Sequence, residues 1–424
     1  MSAPAAPIAK APALRGLSGW LAFAAALLLL PLILRSGTAL SVMSLMGIAI
    51  VFALSYNMLL GQTGMLSFGH AVYYGLGAYF AVHAMNWVIA ARAPVPLPLM
   101  PLIGGLAGAF FAALFGWVST RRSGTAFAMI SLGLAELVGS SSLILRTFFG
   151  GEEGITTNRT KLLRLFDWSF GPQIQLYYLI AFWCLISAIA MYAVTRTPLG
   201  RMCNAVRDNP SRAQFVGYDP HMVRFLAFCL SGFFAGIAGS LAAVNFEIAN
   251  SAYFGAGQSG NVLLATFIGG AGHFIGPILG AILVTWLQVM LSDVTEVWQL
   301  YFGLMFIAAV MYAPGGLAGL IHMQKPLWRA GKLGSVLPSY LFALASALIT
   351  FAGAVALIEM TVRLTVKRSE SPEMTLFGLG FNAAGPLAWA AALALVAGGY
   401  LISRATWARA ARARDGALAK GAAA

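Results

Sequence analysis

The sequence predicts an all-α, polytopic integral membrane protein. Three observations carry that expectation. The 424 residues are 60% hydrophobic and only 9% charged, and the mean hydropathy is +0.82, whereas soluble domains carry about 25% charged residues. Apolar runs of membrane-spanning length recur along the chain. Lys and Arg sit in short segments between those runs and at the tail. That placement also accounts for the net charge of +13 and excludes nucleic-acid binding, which needs a clustered basic face with interleaved aromatics.

The apolar runs cover residues 17–34, 38–60, 66–90, 97–119, 124–145, 175–195, 223–248 and 299–316. The run 261–291 is broken by GGAGHFIGP at 269–277. It is too long for one ordinary span, and its Gly-Pro centre suits a tight turn between two spans, the first short. About ten spans therefore precede Pro314. Runs at 339–358 and 384–402 add a two-helix extension. The expected division is a transmembrane domain over 1–322 and a C-terminal extension with a basic tail over 323–424.

The excess of positive charge on cytoplasmic loops sets the expected orientation. With Arg201, Arg207 and Arg212 inside, Arg121, Arg122, Lys10 and Arg15 also fall inside. So do Lys325, Arg329, Lys332 and the tail Arg404, Arg409, Arg412 and Arg414. The acidic loop with Asp293 and Glu296 falls outside, as do Arg35 and Arg92. Both termini are then cytoplasmic. The N-terminal run is longer than a secretory signal core and lacks a small-x-small cleavage site, so it reads as a retained span.

The most informative polar stretch is Thr197 to His221, which lies between two apolar runs. Asp208 and Asn209 can cap a helix, Pro210 suits its first turn and Gly217 can end it. The resulting short helix, roughly Pro210 to Val216, displays Phe215 and Val216 outside the membrane. It reads as a docking element; the plainer reading is a loop joining two spans. The segment GQTGMLSFGHAVYYGLGAYF at 61–80 suggests a re-entrant start followed by a tightly packed helix through Gly75 and Gly77. Its Ser67, His70 and Tyr73 form a polar cluster in which His70 serves solute, proton or packing.

Small residues recur at four-residue spacing. One row is Gly232, Gly236 and Ser240, its neighbour is Ala235, Gly239 and Ala243, and a third is Gly272, Gly276 and Gly280. Such rows let helices approach closely in lipid. Glu136 and Glu247 lie in apolar runs. An intramembrane carboxylate marks a pathway or a buried pair, and Glu136, the deeper of the two, is expected to face the bundle interior. Cys184, Cys203 and Cys229 form no pattern, and the five histidines show no metal-ligand spacing. No P-loop is present, and no nucleophile–base or paired-carboxylate arrangement points to catalysis. The chain is read as a non-enzyme.

These residues resemble the permease family of the high-affinity branched-chain amino acid ABC importers. The blocks that carry the resemblance are GQTGMLSFGHAVYYGLGAY at 61–79, RRSGTAFAMISLGLAELVG at 121–139, TPLGRMCNAVRDNPSRAQFVGYD at 197–219 and GNVLLATFIGGAGHFIGPILGA at 260–281, with YAPGGLAGL at 312–320 as a family-like end. The resemblance implies an inner-membrane permease that pairs with a second, paralogous permease. It also implies cytoplasmic ATPase subunits, which bind ATP and Mg so that this chain needs no cofactor, and an extracytoplasmic solute-binding protein. The ATPase-coupling loop would use Arg207, Asn209, Pro210, Ala213, Phe215 and Gly217. Ala213 and Gly217 match the family's Glu-Ala-Ala-x-x-x-Gly pattern, while Ser211 and Arg212 replace its Glu and first Ala. Ser67, His70, Glu136 and Glu247 would be candidates for the translocation pathway. The implied cargo is a branched-chain amino acid or a related small zwitterionic or polar solute.

Two other functional classes compete. A secondary transporter would use Glu136 and His70 as a relay, with broken segments near 61–75 and 260–277 as its binding site. A membrane scaffold would transport nothing. Residues 321–424 depart from the family's usual end.

Overall fold

The computed structural model describes residues 13–422 apart from 164–167, 314, 330, 332, 366–371 and 377. Lys10, Pro314 and Lys332 lie outside the described residues. Every apolar run forms helix over most of its described length. The helices are α1 (Ala13–Ile33), α2 (Gly37–Thr63), α3 (Ala71–Ala91), α4 (Met100–Ser119), α5 (Thr125–Ile144), α6 (Arg146–Phe149), α7 (Gln173–Arg196) and α8 (Pro198–Asp208). They continue with α9 (Pro210–Phe215), α10 (Pro220–Phe246), α11 (Ala256–Gly269), α12 (Ile275–Ser292), α13 (Trp298–Tyr312), α14 (Gly316–Arg329), α15 (Leu333–Thr365) and α16 (Pro386–Ala422). Two short antiparallel pairs complete the fold, β1 (Ile155–Thr156) with β2 (Ile248–Ala249) and β3 (Glu373–Leu376) with β4 (Leu379–Asn382).

Among the described residues, eight helices are long and apolar enough to cross a membrane, or nine if α13 and α14, bent by 40°, form one broken span. The eight are α2, α4, α5, α7, α10, α12, α15 and α16. The other expected spans differ for physical reasons. The 14 residues of α11 reach only about 21 Å. The α3 helix is tempered by Tyr73, Tyr74, Tyr79, His83 and Asn86, and its first half is buried in protein. The expected tight turn between α11 and α12 falls at 270–274.

The chain divides into two compact units, Met1–Leu320 and Ile321–Ala424. In the first, α10 is the central helix, with α3 and α4 pressed against it. A Cβ on Gly236 would lie 2.2 Å from Gly104 O, and one on Gly77 2.5 Å from Gly236 Cα. A Cβ on Gly108 would lie 2.3 Å from Gly232 O, and one on Gly239 1.8 Å from Tyr74 O. The small-residue rows on α10 are therefore packing surfaces. In the third row Gly276 and Gly280 press on Gly270 and Ala265, but Gly272 sits in the turn with open space around it.

Helix ends gather at two opposite poles of this unit. At one, the guanidinium of Arg207 donates to Gly61 O, Gly61 abuts Ala271 O, and His221 Nε2 lies 3.3 Å from Trp117 O. This pole holds the ends of α2 and α4, the start of α10, the α8–α9 segment and the 270–274 turn. At the other, β1 pairs with β2, and Asn86 Nδ2 donates to Thr156 O at 3.0 Å.

The second unit is an antiparallel hairpin of α15 and α16. Ser346 and Thr406 share a hydrogen bond of 2.9 Å, and a Cβ on Gly353 would lie 2.9 Å from Leu395 Cβ. The two helices are joined by β3 and β4, where Arg363 Nη2 donates to Glu373 O at 3.2 Å. On α16, Trp389 and Trp407 are separated by about 27 Å of helix, close to the thickness of a hydrocarbon core. That is the spacing of aromatic belts at the two interfaces.

A β-branched residue at position 236 must force α4 away from α10. Gly236→Val is expected to destabilise the first unit by about 1–3 kcal/mol or more, whereas Gly303→Ala, where an added Cβ meets nothing within 4 Å, should be neutral. Thermal unfolding of the detergent-purified protein reads the difference; equal midpoints would refute the packing argument.

Candidate functional site

The stretch 197–219 is built from two capped helices. The side chain of Thr197 accepts from Gly200 N, and Pro198 stands at the first position of α8. Asn209 ends α8 and caps α9, its Oδ1 accepting from Arg212 N at 3.0 Å. Asp208 instead pairs with Arg207 Nε at 3.0 Å. Gly217 closes α9 at φ 93°, a left-handed conformation that suits glycine. Gly217 N donates to Gln214 O at 2.9 Å and Tyr218 N to Ala213 O at 3.1 Å, the paired bonds of a Schellman closure.

The inner side of this element is apolar. Ala213 packs with Cys203, Val206, Val223 and Ala227. Burial pushes the Cys203 thiol up to about 11, so it acts as a small hydrophobe. The outer side is open: Phe215 is 91% exposed and Val216 70%, and Tyr218 beside them is also exposed. Arg207 ties the element to the membrane helices through Gly61 O, with its stem against Gly64. Of the residues named from the sequence, Asn209, Pro210, Ala213 and Gly217 shape α9, Phe215 forms its tip and Arg207 anchors it. Sequence reasoning missed α8, although Thr197-Pro198 is itself a cap followed by a first-turn proline.

The segment 64–70 turns back into the protein after α2. Tyr56 OH donates to Ser67 O at 3.0 Å, Phe68 N to Ser131 Oγ at 3.0 Å, and Ala71 N to Ser259 Oγ at 3.1 Å. His70 is fully buried. It stacks on Phe52 at 5.4 Å and meets Tyr56 and Tyr73 edge-on. Ser55 Oγ donates to Phe52 O at 2.7 Å, so it accepts from His70 Nε2 at 3.0 Å. His70 Nδ1 and Ser67 Oγ have no partner among the described residues. Ser67, His70 and Tyr73 thus come together as the sequence groups them.

The two carboxylates lie elsewhere. Glu247 sits just past the end of α10, where Oε1 accepts from Arg159 N at 2.9 Å and lies 3.9 Å from Arg159 Nε. Arg159 Nη1 donates to Val244 O at 3.2 Å and Asn245 O at 3.0 Å, closing the helix. Glu247 is therefore engaged in an end-cap. Glu136 does not face the interior of this chain, contrary to expectation: it lies on the exposed face of α5. The reason is periodicity, since Ser131, Ala135 and Val138 take the buried face.

Asn209→Ala should loosen α9 by about 1 kcal/mol and Gly217→Val by about 1–2 kcal/mol. Amide exchange over 212–218 is then expected to accelerate in both variants, while Phe215→Ala, at a side chain in solvent, should leave it unchanged. Unaltered exchange in Gly217→Val would disprove the left-handed closure.

Comparison with known proteins identifies the family. Residues 38–313 match the family model described as branched-chain amino acid transport system, permease component. The chain is 27% identical over 319 residues to the high-affinity branched-chain amino acid transport system permease protein LivM of Escherichia coli (strain K12), covering 70% of this chain and 73% of that protein. It is 22% identical over 296 residues to LivH of the same organism, covering 65% of this chain and 92% of LivH. It is 23% identical over 295 residues to BraD of Pseudomonas aeruginosa, with coverage of 65% and 92%. No solved structure matches the chain. With more than half of its length under the family model, this chain belongs to the permease components of branched-chain amino acid transport systems.

Proposed function

We propose that this chain is one of two permease subunits of an ATP-driven importer for branched-chain amino acids or closely related zwitterions. Similarity to both LivM and LivH of one organism supports a second, paralogous permease as its neighbour. The observation that carries the coupling role is the tip of α9. A rigidly closed helix presents Phe215, Val216 and Tyr218 to solvent, while Arg207 binds the same element to the end of α2. A buried aromatic anchor is the usual centre of a docking surface, so the tip is read as the part that enters a cytoplasmic ATPase subunit. Movement of the ATPases would pass through α8 and Arg207 to α2, and through Gly61 to the 270–274 turn. ATP and Mg belong to those partners, and an extracytoplasmic binding protein delivers the solute at the opposite pole.

This reading places the α8–α9 pole in the cytoplasm of the cell (inner) membrane, with both termini on that side. The tail Arg404, Arg409, Arg412 and Arg414 supports a cytoplasmic C-terminus. A reporter that fluoresces only in the cytoplasm, fused after residue 424, is expected to be bright. A dark fusion to an inserted protein would overturn the orientation.

Coupling is tested on the complex purified with its co-encoded subunits. Phe215→Ala is expected to remove a contact of a few kcal/mol, so the ATPases should dissociate or hydrolyse ATP without leucine uptake. A Phe215→Ala complex that stays intact and transports normally would disprove this role for the tip.

A further inference from the structure

The α5 helix has two unlike faces. One is locked: Ser131 Oγ accepts from Phe68 N at 3.0 Å, and a Cβ on Gly69 would lie 2.1 Å from Ser131 O. The other is open, with Met129, Gly133, Glu136, Leu137 and Ser140 at helical spacing and exposed. Glu136 stands near the middle of this 20-residue helix. Among the described residues it makes no hydrogen bond and no ion pair. A Cβ on Gly133, about one turn earlier, would meet nothing within 4 Å, so the approach to the carboxylate is clear.

A carboxyl group at that depth is costly against acyl chains and by default faces protein, water or a cation. Among the described residues of the first unit, no Lys, Arg or His side chain pairs with Glu136 on the open face. We infer that Glu136 receives the ammonium group of the amino acid solute, on a water-filled path walled on one side by α5 and on the other by the second permease subunit. The chemistry is complementary. A branched-chain zwitterion offers one positive group and an aliphatic side chain, and α5 offers one carboxylate flanked by Met129 and Leu137. Gly133 and Ser140 leave room for the solute beside it. The firm inner face makes α5 a wall whose position follows the re-entrant segment. This inference rests on the importer reading above and adds the group that recognises the cargo's charge.

The test uses the complete complex with its co-encoded subunits in liposomes. The wild type, Glu136→Gln and Glu136→Asp are compared for leucine uptake and for subunit composition. Glu136→Gln keeps the shape and removes the charge. It should lower uptake on the order of tenfold, as loss of a charge-assisted hydrogen bond would, with both permeases still present. Glu136→Asp should recover part of the rate. Wild-type uptake in an intact Glu136→Gln complex overturns the inference and leaves the importer reading standing. Loss of the second permease from Glu136→Gln also overturns it, because the carboxylate would then be an ion pair between subunits. A wild-type complex that moves no amino acid overturns both.

Discussion

The close approach of α10 to α3 and α4 is the constraint on which the rest of the transmembrane unit depends. Lipid gives helices no hydrophobic reason to associate, so contact between backbones must supply the cohesion. Gly77, Gly104, Gly108, Gly232, Gly236 and Gly239 permit that contact, and a single added carbon at most of them would overlap a neighbouring carbonyl. Once α10 is seated, its two ends are fixed in space. Its start carries α8 and α9 at one pole, and its end meets Arg159 at the other.

A second constraint is that irregular backbone inside a membrane protein must find its hydrogen bonds within the protein. The segment 64–70 and the first amide of α3 satisfy it with side chains from α2, α5 and α11, namely Tyr56, Ser131 and Ser259. Three helices are joined through hydroxyl groups at the depth where His70 is enclosed. The polar residues there hold the re-entrant turn in place, which explains why so apolar a chain keeps several buried serines.

Much of this was legible in the sequence because it is local. Hydrophobic runs gave the helices, and Asn209, Pro210 and Gly217 gave α9 its start and stop. The spacing of Gly232, Gly236 and Ser240 pointed to a packed face. What escaped was long-range or rotational. Nothing near Arg207 shows that it will reach Gly61, 146 residues away, or that Arg159 will close a helix 85 residues later. The direction of Glu136 was misjudged because depth in an apolar run says nothing about azimuth; that is set by which neighbours Ser131 and Val138 find. The shortness of α11 was visible in the Gly-Pro break, but its partners were not.

The cap on α10 has a consequence for the order in which the chain is made. Arg159 and the strand at Ile155 emerge from the ribosome well before Val244, Asn245 and Glu247, the groups they bind. The earlier loop therefore lacks these partners until the central helix has been made. Its guanidinium then engages carbonyls that exist as free acceptors only where α10 stops. A helix inserted one turn too high or too low would present interior carbonyls already bonded to their own amides. Arg159 thus fits the central helix only in the register that leaves the carbonyls of Val244 and Asn245 at its end.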